Sequence, residues 1–353
     1  MTSVDPLTVS THWDVESSEL RHRWNQLCGS CGATSPSRRL EWLNILRDGL
    51  DHRPVLLQAQ AAGETLGMLP LVFIRSALFG KFLVGLPYLN VGGVVAPDTH
   101  VGHQLIDRAV NLADELDVKY LELRHETRQP HPSLGHEVTE KVHMRLKLPV
   151  SVNDLWSGFD PKVRNQIRKA QKAGLEVEWG QNELLSEFYV VFSRNMRDLG
   201  TPVFGRRLFA SIFSHLRDSA EICVVRYQRS CVAAAMLVHG DGISEVPSAS
   251  ALRHFNYLNG NMLMYWHLLI RSIERGQQVF DFGRSSRDSN TYRFKAQWRA
   301  APQPAVWQYY VRRGIVGEMR PNHPKNQRRI AVWKRLPVWL TRFVGPTIVR
   351  GIP

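Results

Sequence analysis

Two stretches of the chain carry the same succession of apolar and polar patterns. In the first, Pro54–Gln60 and Thr65–Ile74 read as a pair of strands around the turn residues Ala62 and Gly63, and extended residues run on through Leu83–Val95. The period then lengthens to that of a helix over His103–Leu116, with Leu105, Ile106, Ala109, Leu112 and Ala113 on one face, before a strand at Tyr120–Arg124. In the second stretch, Glu221–Tyr227 and Cys231–Val238 pair around Gln228–Ser230, and Ile243–Ala249 is extended. Asn261–Arg275 is then helical, with Asn261 as N-cap and Gly276 as stop, ahead of a strand at Val279–Phe282. Both stretches end on an apolar–acid–apolar strand, Leu121-Glu122-Leu123 and Phe280-Asp281-Phe282. This shared order of elements predicts two lobes of one kind.

Between them, Asp160 and Pro161 open a predicted helix, Val163, Ile167 and Ala170 form its apolar stripe, and Gly174 ends it. Arg164, Arg168 and Lys172 recur at every fourth position beside that stripe. Like charges so spaced repel by roughly a few tenths of a kcal/mol per pair unless an anion or a carboxylate lies against them. The ridge is therefore a solvated face or a seat for an anionic group. Further on, the strand at Phe280–Phe282 is expected to end at Gly283, where the chain turns, and Thr291–Lys295 returns Tyr292, Phe294 and Lys295 toward the same mouth.

Composition changes this picture in two places. With 353 residues, 43% hydrophobic and 22% charged, the chain has material for about two globular domains. Met1–Glu19 is polar and acidic, unlike a secretory signal, and the apolar region Leu69–Val95 is cut by Arg75 and Lys81, so a cytoplasmic protein is expected. Cys28, Cys31, Cys223 and Cys231 are too few for a disulfide framework, and the Cys28–Cys31 pair reads as ordinary small residues near a helix end. The signatures of zinc hydrolases, serine hydrolases and P-loop nucleotidases do not occur. His239, His254 and His267 show no ligand spacing with acids, and Trp156, Trp179, Trp266 and Trp298 are read as core residues, so no metal and no DNA is expected.

The formal net charge of +13 is the second change, because it is concentrated. After Glu318 there is no acidic residue, while Arg320, Lys325, Arg328, Arg329, Lys334, Arg335, Arg342 and Arg350 alternate with Trp333, Leu336, Trp339 and Phe343. Residues 319–353 thus form a basic amphipathic tail, interrupted at Pro337 and Pro346, that either lies on an anionic membrane surface or packs its apolar side on its own domain.

Arg164-Asn-Gln-Ile-Arg-Lys-Ala-Gln-Lys-Ala-Gly174, Asn259–Trp266, the Phe280–Arg284 strand and Phe294-Lys295 together resemble the FemAB-like peptidyltransferases of the GNAT-like superfamily, most of all an exopolysaccharide- and protein-sorting-associated subgroup. The resemblance is good over about residues 150–310 and looser over Pro87–Gly93 in the first lobe. It implies an α/β fold of two tandem GNAT-like lobes, each a mixed, largely antiparallel sheet flanked by helices, with a substrate cleft between them. The lobes would be residues 1–150 and 151–318, followed by the tail at 319–353.

It further implies transfer of an acyl or aminoacyl group onto an amine of a cell-envelope or exopolysaccharide precursor, with no tightly bound cofactor. Lys295 would stand at the reacting carbonyl, where an ammonium stabilises the developing oxyanion. Asp281 would accept the amine's proton or orient its neighbours. Arg164, Arg168, Tyr257, Arg284, Tyr292 and Phe294 are the expected substrate-binding residues. Leu252–Asn261 has one glycine and lacks the Q/R-x-x-G-x-G/A turn that cradles a CoA pyrophosphate. Aminoacyl-tRNA, a carrier-bound acyl group and acyl-CoA all remain open as donor. The expected partners are an anionic small molecule or glycan precursor, tRNA as donor carrier, and an anionic membrane touched peripherally through the tail. A non-catalytic glycan-precursor-binding or scaffold protein of an export system is the alternative, and RNA binding a third reading that rests on charge alone.

Overall fold

The computed structural model describes residues 6–317 and 324–353, with side chains in the second range from Asn326 onward. Glu318, Arg320 and the Lys325 side chain, which entered the expectation for the tail, lie outside the described residues. Two compact units are present, and each is discontinuous in sequence. Met1–Lys141, Pro304–Met319 and Arg350–Pro353 make up the first, and Val142–Gln303 with Arg320–Val349 the second.

In the first unit β1 (Thr8–His12), α1 (Ser18–Ser30) and α2 (Glu41–Leu50) precede a meander of β2 (Arg53–Ala61), β3 (Glu64–Ser76) and β4 (Gly80–Val84). The helix α3 (Thr99–Glu115) crosses over to β5 (Tyr120–His125), and a short β6 (His136–Val138) follows. β1 to β4 are antiparallel neighbours, whereas β4 and β5 run parallel, which is what a helical crossover permits and a tight turn does not. Pro54–Ala59 is buried without alternation, the mark of a strand covered on both faces. On one of them Leu105, Ile106, Ala109, Leu112 and Ala113 of α3 meet Val55, Leu57, Leu69 and Leu71.

The second unit opens with β7 (Lys141–Lys147), α4 (Val152–Gly158), α5 (Pro161–Lys172), β8 (Glu176–Gly180), α6 (Leu185–Leu199) and α7 (Arg206–Leu216). The meander of β9 (Ala220–Tyr227), β10 (Ser230–His239) and β11 (Ile243–Ala251) comes next, with α8 (Gly260–Glu274) crossing to β12 (Val279–Ser286). After α9 (Asn290–Ala296) and β13 (Ala301–Pro304), the chain returns to the first unit as β14 (Val306–Val311), and α10 (Pro324–Trp333) and α11 (Val338–Val349) close the second. Two seven-stranded mixed sheets result, ordered β1-β2-β3-β4-β5-β14-β6 and β13-β7-β12-β11-β10-β9-β8.

Most predicted elements are present, and α5 has its expected Pro161 start, Asp160 cap position and buried Val163, Ile167 and Ala170. Three local expectations are corrected. Leu83–Val95 is not extended throughout: β4 stops at Val84, Leu86 and Tyr88 on either side of Pro87 have positive φ, and only the isolated bridges Gly92–Arg124 and Met68–Val95 rejoin the sheet. The helix α8 starts one residue before Asn261, capped by Asn259 in the left-handed region (φ 56°), a conformation that asparagine tolerates. Pro346 does not interrupt the tail but lies inside α11, since only the amide partner of the carbonyl one turn earlier is lost, while Pro337 immediately precedes the helix.

β14 is clasped into the first sheet by His125. Its Nε2 accepts the Val94 N–H at 3.2 Å, so Nδ1 carries the proton that is donated to Gln308 Oε1 at 3.0 Å. Burial, reinforced by the charge of Arg38, pushes this imidazole down to about 3. A depressed histidine leaves its full stability in place above the unfolded value of about 6.5 and removes it as pH falls toward the folded one. The first unit should therefore lose stability progressively between about pH 6.5 and pH 3, and His125→Gln should flatten that slope in denaturation curves taken across the range.

The helix α11 packs on α6, and its buried residues Thr341, Gly345 and Val349 recur about one turn apart, Gly345 against the backbone of Val203 beyond the end of α6. A Cβ on Gly345 would stand 2.9 Å from the Val203 backbone nitrogen and 3.1 Å from its oxygen, so an alanine there must lift the helix. Gly345→Ala is expected to cost about 1–3 kcal/mol in chemical denaturation, and Thr347→Ala on the exposed side less than about 0.5 kcal/mol.

Candidate functional site

In the second unit the parallel ladder between β11 and β12 covers only Ile243–Glu245 against Val279–Asp281, although both strands continue beyond it. Where they part, Asp281 is 1% exposed. Its Oδ2 accepts from Arg145 Nε of β7 at 2.8 Å, and its Oδ1 from the Gly283 N–H at 2.7 Å. Arg145 in turn donates from Nη1 to Gln303 Oε1 of β13 at 2.9 Å, and the His143 ring lies 4.0 Å from the carboxylate. Gly283 has φ 76°, so the strand kinks there rather than ending, and it runs on to Ser286.

The kink turns two carbonyls toward α9. Ser289 caps this helix by accepting the Tyr292 N–H at 3.1 Å, and its one buried residue is Lys295. The Lys295 ammonium donates to the Gly283 and Arg284 carbonyls, both at 3.0 Å. Phe294, the preceding residue, sends its ring edge-on to Tyr265 at 5.1 Å and also faces a pocket.

That pocket, of about 260 Å³, lies at the first turn of α8. Its apolar wall is Val232, Ala251, Leu252, Phe255, Met262 and Phe294, and its polar wall is Gln166, Asn256, Asn259, Asn261 and Gln297, with the Gly260 backbone between them. None of these residues is charged. The first amides of a helix lack intrahelical partners and no side chain caps α8; Met262 N–H donates to the Asn259 carbonyl at 2.9 Å, which leaves the Gly260 and Asn261 N–H groups and the positive end of the helix dipole at this space. Gln166 adds a buried Oε1 that has no hydrogen-bond partner.

The other half of α8 is held to β9 by Glu221, whose carboxylate accepts from Arg271 at 2.6 and 2.8 Å and from Arg275, and lies 3.2 Å from His239 Nε2. Burial works to raise this carboxyl, but the hydrogen bonds from His239, Arg271 and Arg275 outweigh it and hold the group well below the usual carboxylate range. Ser244 Oγ completes a Ser–His–Glu succession at 2.8 Å from His239 Nδ1. Ser244 is 0% exposed, which rules out contact with a substrate and makes the series a brace.

Of the residues expected from the sequence, Phe294 alone lines the pocket. Tyr257 stands 60% exposed in the turn before α8, Tyr292 packs on the edge of the core, and Arg284 is half-buried. Arg164 is half-buried with its Nε unpartnered, whereas Arg168, over the Trp156 ring at 5.2 Å, and Lys172 are exposed, and none of the three lines the pocket. Trp266 and Trp298 are core residues and Trp156 and Trp179 are half-buried, in line with the reading of these tryptophans. Gln166, Asn256, Asn259 and Gln297 were not singled out. A hint existed for Gln166, two positions from Arg164, and for Asn259 in its Asn-Gly-Asn run.

Residues 159–296, from the residue before the α5 cap to the end of α9, match the family model described as an acetyltransferase (GNAT) domain. Among solved structures, FemX superposes with a TM-score of 0.58 at 14% identity, covering 84% of this chain and 93% of that one. A tandem GNAT protein from the clavulanic acid biosynthesis pathway gives 0.57 at 13% identity, covering 86% and 98%. The L-PGS of Bacillus licheniformis gives 0.53 at 12% identity, covering 92% and 96%. No curated protein sequence matches the chain. Identities this low speak for fold alone: the protein is an α/β, GNAT-like tandem structure, and the match to an acetyltransferase (GNAT) domain falls in its second unit.

Breaking the Asp281–Arg145 pair removes the carboxylate that accepts from the Nε of a guanidinium only 12% exposed. Asp281→Ala should cost about 3–5 kcal/mol of second-unit stability in urea titrations. An unchanged midpoint would show that the pair does not hold the strand.

Proposed function

We propose that the second unit transfers an acyl or aminoacyl group to an amine, in the manner of the FemAB-like enzymes, and that the pocket at the start of α8 receives the donor arm. The observation that carries this reading is the uncharged pocket itself, seated at the first turn of α8 and rimmed by the Gly260 and Asn261 amides and the unpartnered Gln166 Oε1. Such a lining suits a neutral, amide-bearing arm: Gln166 accepts from an N–H, the α8 amides donate to a carbonyl, and Phe255, Met262 and Phe294 exclude water. The lining contains no cation and lacks the glycine turn that cradles a CoA pyrophosphate, while the open α8 amides are donors a phosphate can use, so this end of the helix does not by itself separate acyl-CoA from other donors. A carrier-bound acyl group, whose arm is neutral and amide-bearing, is the donor this lining suits best.

Amine attack places negative charge on the donor carbonyl oxygen. Lys295, held by two carbonyls beside Phe294, supplies a fixed positive charge for it, and no covalent enzyme intermediate is required. Asp281 acts as a positioning residue, because both its oxygens are engaged within the protein. The acceptor class proposed is the amine of a cell-envelope or exopolysaccharide precursor. That part rests on the FemAB-like resemblance and on the FemX likeness. A purely binding protein is the competing reading, favoured by the engagement of Lys295 and Asp281 with the protein itself.

Mass spectrometry of envelope precursors from cells with and without the protein should show one N-acyl or aminoacyl addition that depends on it. Lys295→Met should lower the rate of that addition by roughly a hundredfold or more. Ala251→Phe, which fills the pocket from the end of β11, should abolish it with folding retained. Identical precursors in both cells, or full activity in either variant, would exclude the proposal.

A further inference from the structure

The tail divides its side chains between two faces. Toward the protein, α11 buries Thr341, Gly345 and Val349, Arg342 donates from Nε to Ser193 Oγ at 2.8 Å beside the Tyr189 ring, and Arg197 donates to the Leu336 carbonyl at 2.9 Å. Arg350 pairs with Asp51 in the first unit. Away from the protein, Trp339 is 68%, Phe343 81% and Val332 61% exposed, with Val344 less so. Trp339 and Phe343 are one turn apart and therefore share a side of α11. Arg328, Arg329, Lys334 and Arg335 are exposed on α10 and the turn that follows, and residues 319–353 contain no carboxylate side chain.

We propose that this outer face docks on an anionic lipid bilayer, with Trp339, Phe343 and Val344 entering the headgroup–acyl boundary and the four exposed cations meeting lipid phosphates. Large apolar side chains exposed on a folded helix next to unopposed cations are the two ingredients of an interfacial anchor. Other occupants satisfy one ingredient only. A second copy of the chain would bring the same four cations against these, a like-charge juxtaposition that disfavours the contact. Single-stranded RNA would meet the cations and stack on aromatic rings, yet Val332 and Val344 offer no ring to stack on. The face lies parallel to the surface rather than across it: among the described residues no helix is long and apolar enough to cross a membrane. This docking does not depend on the transfer reaction.

The tail is part of the second unit, so point variants of the full chain are the appropriate test rather than truncation. In flotation with phosphatidylcholine vesicles, alone or mixed equally with phosphatidylglycerol, the full chain should rise only with the anionic lipid. Trp339→Ser with Phe343→Ser should weaken binding at least about tenfold and remove what persists at high salt. Changing Arg328, Arg329, Lys334 and Arg335 to Gln should weaken it on the order of a hundredfold at low salt. All six residues are exposed, so thermal unfolding of both variants should match the unaltered protein. Failure of the unaltered chain to float with anionic vesicles overturns the proposal. So does binding indifferent to the aromatic substitutions, a stronger affinity for oligo-uridine RNA than for vesicles, or a dimer that the Trp339/Phe343 variant dissolves.

Discussion

A carboxylate inside a sheet costs several kcal/mol unless its oxygens are answered by donors, and the second unit is arranged around answering one. Asp281 takes one donor from Arg145 on the adjacent strand and the other from the Gly283 amide two residues on. To present that amide, the backbone at Gly283 enters the left-handed region, which a side chain would oppose. The resulting kink aims the Gly283 and Arg284 carbonyls at Lys295, and their grip on the ammonium orients α9 and with it Phe294. The pocket wall is thus the last link of a series that begins with a buried charge.

The first unit meets the same problem differently. Its crossover strand carries Glu122 where the second has Asp281, and Glu122 is buried as well. Its partner is Arg124 on the same strand, which donates to Glu122 Oε1 at 2.7 Å and to the Leu89 carbonyl at 2.8 Å and lies over Trp307 of β14 at 4.0 Å. Each sheet therefore pins its crossover strand with a buried acid–arginine pair, and in each a strand from outside the contiguous lobe lies alongside: β14 beside β5, β7 beside β12. Among the described residues the first unit carries the architecture without a Phe-Lys pair after the strand, which is why the proposed chemistry is placed in the second.

The meander, helix and acid-bearing strand of each lobe were legible because their hydrophobic periods are long and their partners are sequence neighbours, as in β2–β3 and β9–β10. The three-part division of the chain was read as contiguous because periodicity says what an element is and not what it pairs with. Val142, Met144 and Leu146 alternate as a strand should, but the mate of that strand is marked by Arg145 and Asp281, 136 residues apart. The Glu221–His239 contact was hidden for the same reason, since it forms across two strands. Phe294 was found because it lies in the short return segment after the Phe280–Phe282 strand, and the resemblance pointed to the same residue. Gln166, Asn256 and Gln297 were not, because a pocket is a property of five elements meeting and leaves no period in any one of them.

The placement of β14 also orders events during synthesis. Its six residues pair with β5 along the whole strand and with β6 over three positions, so the first sheet lacks its link between these strands until residue 311 has left the ribosome. By then every strand of the second sheet has already been made. A nascent chain must therefore carry an open β5 edge through the translation of more than half the protein, a row of unpaired amides and carbonyls exposed to other strands. Expression of the N-terminal half by itself would retain that edge, whereas a chain permuted to place β14 directly after β5 would close it early.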